Sequence, residues 1–199
     1  MTRHEHNIRA QRAVGRAGET FAQAVVSGLG APFKRLPCRF FYDARGSELF
    51  EAITGLEEYY PTRTETAILH AHAGSMARAA GRGAVLVEFG SGSSRKTELL
   101  LAAMDRPRAY VPIDVSQSAL RDAQVRLARR MPDLEVMPAV GDFTEAVPLP
   151  PSVRQHRKLG FFPGSTLGNF DPPDAVALLR HFAGLLGQNT RLIIGIDLE

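Results

Sequence analysis

From residue 84 onward the chain alternates short apolar runs with amphipathic segments, and this alternation restricts the fold more than any other feature. The runs are "AVLVEF" (84–89), "RAYVPID" (108–114), "LEVMPAV" (134–140), "KLGFFPG" (158–164) and "RLIIGID" (191–197). One helix is expected from about Arg95 to Met104. A second follows Ser116, with Leu120, Leu127 and Met131 on one face. A third opens at Asp171-Pro172 and closes before Gly187, with a capping residue and proline at the start and glycine at the end. Strand–helix alternation of this kind predicts an α/β fold, a parallel sheet with helices on both faces. The chain ends two residues after the fifth run, so the sheet is expected to be incomplete.

The first 82 residues read as a helical N-terminal extension. Residues 1–35 form an arm and a helix with Phe21, Val25, Val26 and Leu29 as its apolar stripe; residues 36–82 form a helical cap over substrate and cofactor; residues 83–199 form the sheet domain. In "YDARGSELFEAI", Ser47 is expected as an N-cap, with Leu49, Phe50 and Ile53 facing inward. In "GLEEYYPTRTETAIL", Pro61 breaks the preceding segment, and Thr62 with Glu65 forms a capping box. Leu69, Ala73, Met76 and Ala80 mark the buried face of that helix. Tyr59 and Tyr60 therefore stand at the mouth of a fixed element.

Composition removes several function classes. A hydrophobic content of 44% can support a core, and 24 basic against 21 acidic residues leaves only +3. Lysine occurs only at Lys34, Lys96 and Lys158, with no basic–aromatic ladder, so no nucleic-acid partner is expected. The one cysteine, Cys38, excludes an internal disulfide framework and reads as a buried small hydrophobe. His4 with His6, and His70 with His72, are two residues apart and point to different helix faces, so no metal is expected. No run approaches the roughly 18 apolar residues of a membrane span. The arginine-rich N-terminus is broken by Glu5 and Glu19, which points to a solvated arm and a cytoplasmic protein.

In an open parallel sheet, ligands bind beyond the carboxyl ends of the strands. Each expected strand here ends in a polar or glycine signal: Glu88 with Gly90 and Gly92, then Asp114, then Gly141-Asp142-Phe143, then "PGSTLGNF" with Asn169, then Asp197. Gly90-Ser91-Gly92 alone reads as a tight strand–helix turn. Together with Asp114, 22 residues beyond Gly92, it reads as an adenosine site, the acid taking the ribose hydroxyls. A dinucleotide fingerprint requires glycine where Arg95 stands. Glu88, two residues before the first glycine, is more typical of S-adenosylmethionine binding, because the methionine end carries an ammonium. Asp142 and Phe143 suit an adenine amine and ring, or else a turn cap and a core residue.

Five strings carry a specific resemblance: "LPCRFFYDARGSELFEAITGLEEYYPTRTETAIL", "VEFGSGSSRKT", "PIDVS", "GDF" and "GSTLGN". In this order and spacing, from about Leu36 to Asp197, the chain resembles the histidine-specific N-alpha-methyltransferases that begin ergothioneine biosynthesis. The resemblance implies a Rossmann-like class I methyltransferase sheet. It also implies S-adenosylmethionine as cofactor and methylation of the α-amine of L-histidine to the betaine hercynine. It assigns Tyr42, Gly90, Lys96, Asp114, Asp142 and Phe143 to the cofactor, and Tyr59 and Asn169 to the substrate amino acid. Tyr60 has no match and reads as packing. The family's later region, which selects the imidazole, has no counterpart in these residues. Three alternatives stay open: a nicotinamide oxidoreductase, a same-family enzyme with another amine acceptor, and a non-catalytic cofactor-binding remnant that self-associates through the fifth strand's edge.

Overall fold

The computed structural model describes residues 19–41 and 43–198. Three helices lead into the sheet: α1 (Phe21–Gly30), α2 (Ala44–Thr54) and α3 (Pro61–Ala80). The rest is β1 (Val85–Phe89), α4 (Arg95–Ala103), β2 (Ala109–Asp114), α5 (Gln117–Arg130), β3 (Glu135–Val136), β4 (Ala139–Val140), β5 (Lys158–Phe162), α6 (Pro172–Leu186) and β6 (Arg191–Ile194). All pairings are parallel, in the order β3-β2-β1-β5-β6, with β4 also on β2. The strand order reverses at β1, whose neighbours are β2 and β5. That reversal places the crevice at β1's carboxyl end.

Both faces of the central strands are covered, which is why β1 and β5 are buried at every residue. Side-chain alternation divides the core into two. Leu86, Tyr110, Leu159 and Phe161 pack with Leu69 and Ala77 of α3, Leu100 and Leu101 of α4 and Leu127 of α5. Val85, Val87, Phe89, Val111 and Phe162 pack with Leu178, Phe182 and Leu186 of α6. The expected α3 stripe is therefore part of the sheet's own core, with Leu69, Ala73 and Ala80 buried and Met76 partly so.

Several local expectations are corrected. The third run is not one strand: it breaks at Met137-Pro138, opposite Val111-Pro112 of β2. Neither proline has an N–H for the ladder, and the two fall in one gap. The Met137 N–H crosses it to the Tyr110 carbonyl at 2.8 Å. Helix α2 starts before Ser47, because the Asp43 carboxylate caps it and accepts the Gly46 N–H at 2.7 Å. Leu49 and Ile53 are exposed rather than facing inward, while half-buried Phe50 meets Tyr59 edge-on at 6.0 Å. In α1 the burial falls on Ala24; Phe21, Val26 and Leu29 are exposed and belong to neither core cluster. The capping box belongs to α1, where Thr20 and Gln23 exchange bonds, and not to α3. There Tyr60 precedes Pro61, with no side-chain cap. The arm over residues 1–18 and the side chain of Cys38 lie outside what is described. Among the described residues, no helix is long and apolar enough to cross a membrane.

Phe182 is fully buried, stacked on Phe89 at 3.7 Å and edge-on to Phe162 at 5.1 Å. Phe182→Ala would empty this aromatic stack. Urea unfolding should show a loss of about 3–5 kcal/mol; a loss below about 1 kcal/mol would mean that α6 repacks over the gap.

Candidate functional site

The turn after β1 is built by backbone that only small residues adopt easily. Gly90 and Gly92 have φ of 71° and 48°, and Ser94, entering α4, has φ of 53°. The N–H groups of Gly90 and Ser91 both point at the Ile113 carbonyl, at 2.9 and 3.2 Å. The Gly92 N–H donates to Asp114 Oδ2 at 2.8 Å, and Ser116 N–H to Asp114 Oδ1 at 2.9 Å. One carboxylate thus fastens the entries of both α4 and α5. β4 then runs beside the end of β2, and Gly141 N–H bonds the Asp114 carbonyl at 2.9 Å. This brings Asp142 and Phe143 to the glycine turn. A Cβ on Gly90 would stand 3.2 Å from the Phe143 ring. Asp142 Oδ1 accepts from the Thr144 N–H and hydroxyl at 2.9 and 2.7 Å, so this acid does cap its own turn.

A cleft of about 1520 Å³ opens over these ends. Its lining includes every expected site residue among those described: Gly90, Lys96, Asp114, Asp142 and Phe143 on one wall, with Tyr59 and Asn169. Tyr42 lies outside the described residues. Half-buried Tyr59 comes from the segment before α3, and exposed Asn169 from the 3-10 turn Thr166–Asn169 after β5. Burial first, then the carboxylates of Glu65 and Asp197, raise the Tyr59 phenol above its ordinary value. Its hydroxyl therefore stays protonated at neutral pH.

Sequence reasoning missed the parts played by three contributors, Tyr60, Glu65 and Ser91. Tyr60 is not packing: its hydroxyl donates to Asp197 at 2.8 and 3.0 Å, linking the mouth of α3 to the end of β6. Asp197 was visible as a strand-end acid, but its partner 137 residues away was not. Glu65 reaches into the sheet edge, with its carboxylate on Lys96 and on the Gly164 N–H at 2.8 Å. Ser91 Oγ is buried with no hydrogen-bond partner among the described residues. A buried hydroxyl of that kind, beside an open Gly92 with no atom near its Cβ direction, fits a bound polar ligand at the turn.

Glu88 reaches the cleft at the end of β1 but is only 1% exposed. Thr97 Oγ1 donates to Oε1 at 2.7 Å, and the Tyr110 hydroxyl bonds Oε2 while also meeting Ser94 Oγ at 2.8 Å. Burial pushes the Glu88 carboxyl up to about 8, against the lowering pull of Tyr110, Thr97 and Lys96.

The model of the family described as "Histidine-specific methyltransferase, SAM-dependent" matches residues 21–199. The chain belongs to that family. It is 41% identical over 189 residues to the histidine N-alpha-methyltransferase of Mycolicibacterium smegmatis, covering 94% of this chain and 58% of that protein. It is 36% identical over 169 residues to ergothioneine biosynthesis protein 1 of Neurospora crassa, covering 82% of this chain and 19% of that protein. The chain thus spans little more than half of the first relative and a fifth of the second. Among solved structures, mitomycin 7-O-methyltransferase superposes with a TM-score of 0.54 at 22% identity, over 98% of this chain and 49% of that one. That likeness shows the fold.

The Glu88 carboxyl has a testable thermodynamic signature. Its pKa is about 8 folded against an ordinary 4.5, so between these values the folded state holds a proton that the unfolded state lacks. The stability tied to the neutral form is complete below 4.5 and is lost as pH rises to about 8. Urea unfolding from pH 4.5 to 9 should show a steeper fall for the native chain than for Glu88→Gln; equal slopes would remove Glu88 as the source.

Proposed function

We propose that this chain binds S-adenosylmethionine in the carboxyl-edge cleft and serves methylation of the α-amine of L-histidine, the step that yields hercynine in ergothioneine biosynthesis. The observation that carries this reading is convergence. Signals spread over 110 residues, from Tyr59 to Asn169, line one cleft in a chain of the histidine-specific family. In this reading Asp114 takes the ribose hydroxyls, Asp142 and Phe143 the adenine, and Gly90 lets the backbone approach. Residues 36–82 act as the cap, in a cytoplasmic protein.

When bound, the cofactor supplies a methyl group made electrophilic by the sulfonium. The methyl would pass to the neutral α-amine, with the sulfur keeping the S–C bonding pair and a proton going to solvent. Gly90, Lys96, Asp114, Asp142 and Phe143 would hold the cofactor. The chain's own part is alignment, which is worth up to about 7–11 kcal/mol in well-oriented systems. Tyr59, held protonated, donates to the amino-acid end. Exposed Asn169 offers both a donor and an acceptor without a fixed charge, so the amine can be held in its neutral form.

Mass spectrometry of L-histidine after incubation with the chain and S-adenosylmethionine should show added methyl groups, at a rate that rises with pH as the free amine forms. No product, or a histidine-dependent rate indifferent to alkaline pH, would count against this reading. Product on another amino acid, with histidine untouched, would move the acceptor assignment within the family.

The open side of the sheet supports a second proposal. β6 pairs only with β5 among the described strands, and Ile196 and Leu198 beyond it are 62% and 84% exposed. Such an edge is a template for another strand. Sedimentation velocity should show a size that increases with concentration and reverts on adding charge at Ile196; a constant monomer would remove self-association.

A further inference from the structure

Glu65 is the side chain that the expected chemistry leaves unexplained. It leaves α3 one turn in from the Pro61 start and reaches the start of α4 and the loop after β5. Its carboxylate receives the Lys96 ammonium and the Gly164 N–H, the latter at 2.8 Å to Oε1 and 3.1 Å to Oε2. The fit is tight enough to dictate another residue. At Gly195, just past β6, an added Cβ would collide with Glu65 Oε1 and come within 3.2 Å of the Gly164 nitrogen. Four chain segments therefore meet on one carboxylate: α3, the start of α4, the end of β5 and the end of β6.

The Lys96 ammonium is only partly used by this arrangement. A lysine carries three donors, and one is engaged by Glu65. The side chains of the pair are 22% and 16% exposed, so the lysine is neither sealed nor free in solvent. The cleft's other cations are differently placed. Arg126 is bound to Glu98 and the Ser93 carbonyl, Arg35 faces Asp171 at 3.7 Å, and Arg95 is exposed. Lys96 stands at the start of α4, next to the glycine turn, with its ammonium on Glu65.

We infer that Glu65 is a positioning residue for the amino-acid end of the cofactor: it holds the Lys96 ammonium where that group takes the ligand's α-carboxylate. This rests on the cofactor reading above. A lysine head on a four-carbon stem is a mobile point charge, and its contact with a carboxylate is strong only when the head is already in place. Glu65 supplies that placement without filling the remaining donors. A glutamine at 65 keeps an acceptor for Gly164 N–H but turns its NH₂ donors toward the lysine, which then swings into solvent.

Calorimetric binding to the 199-residue chain separates this role from simple stapling of α3. S-adenosylhomocysteine carries the amino-acid end; 5′-methylthioadenosine has the same nucleoside without it. Glu65→Gln and Lys96→Met should each weaken S-adenosylhomocysteine roughly tenfold, as for one lost charge-assisted contact. Both should leave methylthioadenosine within about twofold, and the double variant should be no weaker than Lys96→Met alone. Equal losses for the two ligands, a further loss from Glu65→Gln in the Lys96→Met background, or unchanged affinity in Glu65→Gln would each overturn the inference. A native chain that binds neither ligand would overturn the cofactor reading with it. Native binding that is indifferent to Glu65→Gln would overturn only the role of Glu65.

Discussion

The Asp114 carboxylate is the point on which the site depends. It accepts one backbone N–H from the turn after β1 and another from the turn after β2. Those two turns set where α4 and α5 begin, and hence how the glycine backbone faces the cleft. Each carboxylate oxygen has lone-pair capacity beyond one hydrogen bond, so Asp114 can hold the turns and still accept from a ligand. A neutral side chain of the same shape would offer an acceptor to only one of the two turns.

Much of this architecture was legible because it is local. The strand–helix alternation, the glycines at the first turn and the polar residue at each strand end lie within a few residues of the features they control. Helix α6 runs from Pro172 to Leu186 as its Asp171-Pro172 start and Gly187 stop imply. What could not be read was set by partners far along the chain. The third run looked continuous because its own composition is strand-like, and Pro112 of the neighbouring strand helps to open the gap. Glu65 three residues after Thr62 has the spacing of a cap, and only the approach of Gly164 and Gly195 shows that it points elsewhere. Phe21, Val26 and Leu29 have helical spacing, but periodicity cannot say whether another surface meets the stripe.

Glu88 shows how a buried polar network can sit at the base of the glycine turn. Thr97, Tyr110 and Ser94 form a chain of hydroxyls around it, and Tyr110 can turn its hydrogen toward Ser94 when the carboxyl carries its own proton. Buried networks of this sort fix geometry because every member constrains the next. Here the network joins β1, β2 and the first turn of α4, while Asp114 ties the turn after β1 to the entry of α5.

The contacts of Glu65 also bear on the order in which the molecule assembles. Its partners Lys96 and Gly164 are 31 and 99 residues away, and Gly195 is 195 − 65 = 130 residues away. Closing such long loops is entropically costly, so contacts of this separation form late. The N-terminus of α3 has no side-chain cap of its own; its N-cap Tyr60 is tied to Asp197 and its Glu65 to Lys96 and Gly164. The mouth of the site is thus completed only once β6 has docked on β5. Fraying of that last strand would free Tyr60 from Asp197 and open the mouth of the cleft, while leaving the glycine turn and the core between β1, β2 and their helices intact.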